Sequence, residues 1–216
     1  MNEDRIDGAA LIAGSLGTLV TMSLHPTGHE LFVPGQLARA THLAVGAHAL
    51  AIACLPVSFL GALALSRRLA SPDRLATAAL VTYAFAVTAA MNAAVVSGLV
   101  GPRLVARIVD GAASEAEAWR TVFRYNGHLN QAFARVLVVA SSAAIVLWSA
   151  AILRVGLLAR GVGFYGCVLG PLTVAALLSG HLRLDVHGFG LVVLGQALWF
   201  IAAGTQLLRH GRPAYR

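Results

Sequence analysis

Lysine is missing from this sequence altogether: all 16 basic side chains other than histidine are arginine. Charge of either sign is scarce, at 12% of the chain, where an ordinary soluble domain carries about 25%. A soluble protein of this length could not cover its surface with so little. Cysteine is nearly absent too. Cys54 and Cys167 both lie inside apolar runs, which excludes a disulfide framework and leaves them as small buried hydrophobes. The sequence holds no His-Glu-x-x-His, no zinc-finger spacing and no nucleophile motif. Its arginines sit between hydrophobic runs rather than among aromatics, so nucleic acid is excluded as a partner despite a net charge of +7.

What the chain has instead is long stretches without Asp, Glu, Lys or Arg: Leu43–Leu65, Leu75–Val100, Val136–Leu153, Gly161–Gly180 and Gly188–Leu208. Crossing the hydrocarbon of a bilayer takes about 20 mostly apolar residues. Gly8–Leu24 is a sixth such run, diluted by Ser15, Thr18, Thr21 and Ser23. The expected fold is therefore an all-α, polytopic membrane bundle in one domain, with six spans near residues 8–24, 43–65, 75–100, 129–153, 161–180 and 188–208. The first five residues are acidic rather than basic, so no cleavable signal is expected and the first run stays as a span. Pro56 and Pro171 should kink their helices. Gly166 and Gly170 form one G-x-x-x-G match among many small residues that let helices approach closely. No three-plus-three inverted repeat is visible.

Six spans put both termini on one side. Arg5, Arg67, Arg68, Arg74, Arg154, Arg160, Arg209, Arg212 and Arg216 lie there, in short loops and tails. Arg39, Arg103, Arg107, Arg120, Arg124 and Arg183 lie opposite, four of them in one long loop. Short-loop arginine density sets orientation. It puts both termini in the cytoplasm of a bacterial-type inner membrane, with the bilayer as the principal partner and self-association left open. In the long outer loop, Ser114-Glu-Ala-Glu117 reads as a capping box. It should open a short amphipathic surface helix carrying Trp119 and Phe123, which Asn126-Gly127 ends as a turn.

This topology gathers histidines on the outer side. His25, His29, His42, His128, His181 and His187 sit at outer helix ends, and His48 lies about two turns into the second span. His128, Gln131 and Arg135 share a helical face by their spacing. Intramembrane polar groups face bundle interiors and find partners. His48, Asn92, Gln131, Arg135 and Gln196 are thus expected to surround one outer polar pocket, with Asp185 and Glu30 as counter-ions for Arg135. Two ligand chemistries fit. A transition metal or haem would use His42, His48, His128, Asp185 and His187, with His25 and His29 as further candidates. A small polar or anionic solute would use the Arg135 guanidinium as its anchor. The expected function is ligand or metal binding rather than catalysis. The competing readings are a small-solute transporter, a structural accessory subunit without ligand, and a membrane-embedded hydrolase.

Overall fold

The computed structural model describes residues 3–25, 35–69 and 74–209, and among them it holds helices and no strand. The chain runs through α1 (Glu3–Leu24), α2 (Leu37–Leu69), α3 (Leu75–Ala94), a π-helical turn (Val95–Val100), α4 (Gly101–Asp110), α5 (Ala116–Val155), α6 (Arg160–Leu178) and α7 (Val186–Arg209). With α3, the π turn and α4 taken as one continuous rod, six helices are long and apolar enough to cross a membrane. The helices overrun the uncharged runs because arginine, glutamate and asparagine are tolerated at their ends. The assigned helices continue through Pro56 and Pro171.

Small residues set the packing. α1 lies antiparallel to α7. A methyl group on Gly8 would fall 2.6 Å from the Gly204 carbonyl oxygen, and Met22, at the other end of α1, adjoins Gly190. On its other side α1 meets α2, where Gly61 accepts the backbone and side chain of Leu11. α2 packs on α3, α3 on α5, and α6 covers the seam between α5 and α7. Gly166 and Gly170 of the G-x-x-x-G match both face α5, against Ile145 and Ser149 in one case and Ser142 and Val146 in the other. The result is a ring of α1, α2, α3, α5 and α7. Its half nearest the termini is filled by an aromatic cluster. Trp148 and Trp199 stack at 6.0 Å between ring centroids, and Tyr83 and Phe200 close on Trp148 at 5.4 and 5.9 Å. Both indole N–H groups are satisfied: Trp148 donates to Ser66 Oγ at 2.8 Å, and Trp199 to Ser149 Oγ and the Val162 carbonyl.

The far end differs from the sequence-based expectation. No separate surface helix forms. α5 is one 40-residue helix running unbroken through Asn126-Gly127, about 60 Å long and so about twice the thickness of a bilayer's hydrocarbon. The capping box does not form either. Glu115 occupies the N-cap without a side-chain cap bond, and the Glu117 carboxylate is taken by Arg120 and Arg124 at 3.5 and 3.3 Å. α4 and the start of α5 form a helical hairpin seated on α2, with Val105 fully buried among Ala40, Leu37 and Phe123. Arg107 lies 5.9 Å over the Trp119 ring.

The turn signal at Asn126 is overridden because its side chain has another partner. A π turn carries an extra residue and disturbs the regular carbonyl ladder. The Val96 carbonyl accepts from the Gly101 amide, and Asn126 Nδ2 donates to the same oxygen at 3.1 Å. The Asn126→Ala variant removes that interhelical bond and should cost about 1 kcal/mol in thermal unfolding. No change would show that the π turn stands without it.

Candidate functional site

Above the aromatic cluster the ring of helices does not close on itself. It encloses a cavity of about 480 Å³ that reaches toward the end opposite the termini. Volumes of roughly 300–1,000 Å³ are usual for small-molecule pockets. α1 contributes Ser15, Thr18, Thr21, Met22 and His25, a stripe at helical spacing. α2 contributes His48, Ala51, Leu55 and Ser58, and α3 runs from Tyr83 through Val87 and Ala90 to Ser97 in the π turn. α5 presents Asn130, Gln131, Ala134, Leu137, Val138 and Ser141. α7 and the residues before it present Leu184, Asp185, Phe189, Val192, Val193, Gln196 and Phe200. Tyr83 and Phe200 belong to the aromatic cluster as well, so the plug is the cavity floor.

His48 is the best-fixed polar group in the wall. It is buried, and its Nδ1 lies 2.7 Å from the Ala44 carbonyl oxygen. A carbonyl can only accept, so Nδ1 carries the hydrogen, and in the neutral ring Nε2 keeps its lone pair. Gly98 makes room for the ring: a side chain there would collide with His48 Cβ and Cγ. The π turn thus serves to bring a backbone glycine against the imidazole. His25 meets the same ring edge-on at 4.8 Å. Gln131 donates to the Leu184 carbonyl at 3.0 Å, tying α5 to the start of α7. Gln196 lies 3.2 Å from Ser142 Oγ.

The expected pocket is therefore only partly assembled. His48, Gln131 and Gln196 reach the cavity, and Arg135 and Asn92 do not. His128, Gln131 and Arg135 do share a face, but it is an exposed one at the bundle's edge, from which only Gln131 touches the cavity rim. Arg135 follows the lining residue Ala134 and is turned about 100° away from it. Among the described residues it has no ion-pair partner; Glu30 falls outside them. Asn92 sits on the far side of α3 from Ala90 and Ala94, exposed, with Nδ2 on the Thr88 carbonyl.

The metal set is not brought together. His42, His128 and His187 are exposed and outside the cavity; His42, six residues from His48, faces a different way. Asp185 lines the mouth but uses Oδ1 to accept from the Gly188 amide at 2.8 Å, as the N-cap of α7. His29 lies outside the described residues. Among those described, no three of His, Cys, Asp and Glu converge as metal ligands. His25 and His48 alone pair, short of the three or four protein ligands zinc takes.

Sequence reasoning passed over Ser15, Thr18 and Thr21 as mere dilution of the first apolar run. Their spacing with Met22 and His25, all on one stripe of α1, was the available signal. No family model matches the chain, and comparison with curated proteins and with solved structures likewise found no match.

Proposed function

We propose that this chain is a multi-pass membrane protein that binds one small, mainly apolar molecule in a pocket open toward the face opposite its termini. The membrane reading is supported by large apolar side chains turned outward around the bundle. Phe85 is 64% exposed, Leu172 64%, Leu191 66% and Leu178 78%. Water would not tolerate so continuous an apolar surface. The arginine-rich short loops support cytoplasmic termini in an inner membrane, with the pocket facing out. On that reading Arg135 sits on the bundle exterior, its long side chain free to reach toward headgroups.

The observation that carries the binding reading is the aromatic plug beneath the cavity. Trp148 and Trp199 are fully buried, and the half of the bundle behind them is filled. A carrier needs a route to the second side; a one-sided pocket suits a receptor, a sensor or a ligand-holding subunit. An accessory subunit without ligand has no use for a cavity of this size. Ala90→Phe tests the reading, since it projects a ring from the cavity wall. Protein purified in mild detergent should yield, on organic extraction and mass spectrometry, a small molecule near one per chain. The A90F protein, checked for folding by gel filtration and circular dichroism, should have lost most of it. Retention of the molecule at the same ratio by A90F would place it elsewhere and overturn the proposal.

A further inference from the structure

Given that the cavity holds a small molecule, its hydrogen-bonding balance restricts what that molecule can be. Several of the donors that line the cavity are already spent within the protein. Ser15, Thr18, Thr21 and Ser141 each donate their hydroxyl hydrogen to a carbonyl one turn back on their own helix. His48 spends its one ring hydrogen on the Ala44 carbonyl. Gln131 spends an amide hydrogen on the Leu184 carbonyl. What the four hydroxyls and the imidazole still offer is lone pairs: the hydroxyl oxygens and, above all, His48 Nε2. That nitrogen can only accept in this tautomer, and among the described residues it has no hydrogen-bond partner. Donor capacity remains at Ser97, at Asn130 and in the second amide hydrogens of Gln131 and Gln196.

Charge points the same way. No arginine lines the cavity, and the one carboxylate there, Asp185, is at the mouth. An anion would enter a mainly apolar site with no arginine to pair with, a costly transfer. The walls between floor and mouth are Leu55, Val87, Leu137, Val138, Val192 and Val193, which suit an apolar body. We propose that the cavity selects a neutral hydrogen-bond donor, an alcohol or phenol carried on an apolar body, whose O–H donates to His48 Nε2. The inference rests on the binding function proposed above and narrows it to a ligand class.

Three probes of one shape test it: 2-naphthol, 2-methoxynaphthalene and 2-naphthoate, titrated calorimetrically into the protein in lipid nanodiscs, with empty nanodiscs as the blank. A net hydrogen bond is expected to make naphthol bind about fivefold to tenfold tighter than its methyl ether. Naphthoate should bind weakest. His48→Phe should bring naphthol down to the level of the ether and leave the ether unchanged, the ether serving as the control for an intact pocket. His48→Ala, which adds space rather than filling it, should abolish the same preference. Equal binding of naphthol and ether by the unaltered protein would overturn the donor class while leaving a binding pocket standing. Tightest binding by naphthoate would do the same and show that the site supplies donors. A preference for naphthol that survives both substitutions would overturn the role of His48. Absence of binding by all three would overturn the pocket's function along with its selectivity.

Discussion

Replacing Trp148 by alanine should destabilise the protein by about 3 kcal/mol, at the lower end of what deleting a buried aromatic costs in a soluble core. Trp148 is 0% exposed and stands at the centre of the plug, within 6.0 Å of Tyr83, Trp199 and Phe200 by ring centroids. Two contributions are lost together. One is close packing: the rings around it come from α3 and α7, and neither helix can collapse into the space without dragging the cavity floor with it. The other is the bond from Nε1 to Ser66 Oγ, which ties α5 to α2 across 82 positions of sequence. In the bilayer proposed above, the water-transfer part of the usual penalty falls away, because lipid tails are as apolar as the core, while the packing part remains. Trp148→Phe separates the two, keeping most of the ring and dropping the bond, and should cost about 1 kcal/mol. Unfolding by denaturing detergent, followed through the remaining tryptophans, reads both. A loss below about 1 kcal/mol for W148A would mean that the plug does not close the bundle, and the case for a one-sided pocket would go with it.

The helical class and the count of six long apolar helices were legible because hydrophobic runs of about 20 residues have few other uses. The outer cluster of polar groups was legible in part. His48 and Gln196 were expected there from their depth and Gln131 from its spacing with His128 and Arg135, and all three line the cavity. Depth says how far along a helix a residue lies, and it says nothing about which way that helix is turned. Rotation is set by packing, here by glycines such as Gly8, Gly61 and Gly166 that fix where neighbours touch. Arg135 and Asn92 were assigned inward because an inward partner usually offsets the cost of a polar group in lipid. Each instead lies at an exposed position, Asn92 satisfied by its own helix. The π turn was out of reach for a different reason. One extra residue in Val95–Val100 rotates everything after it, and no run or spacing in that stretch announces it. It is visible only through its consequences, Asn126 on the Val96 carbonyl and Gly98 on His48.

Gly98 is where that consequence can be measured. A Gly98→Ala methyl would overlap His48 Cβ and Cγ and lie 2.6 Å from Nδ1. Since the Cβ moves only with its backbone, the ring cannot simply swing aside; α2 and the π turn must part. Overpacking of this kind costs about 1–3 kcal/mol. The separation would also shift the imidazole, with its Ala44 bond intact on α2, away from its place in the cavity wall, so binding of 2-naphthol should fall toward the level of its methyl ether. A double variant, Gly98→Ala with His48→Gly, swaps which helix carries the side chain. It should recover most of the lost stability while leaving binding impaired, because the acceptor is gone. The two substitutions should therefore couple by about 1–3 kcal/mol in a double-mutant cycle, well above the few tenths seen for independent sites. Simple additivity would mean that His48 and Gly98 do not touch in the membrane. The imidazole would then be held by the Ala44 carbonyl alone, and the π turn would lose its part in placing Nε2 against the cavity.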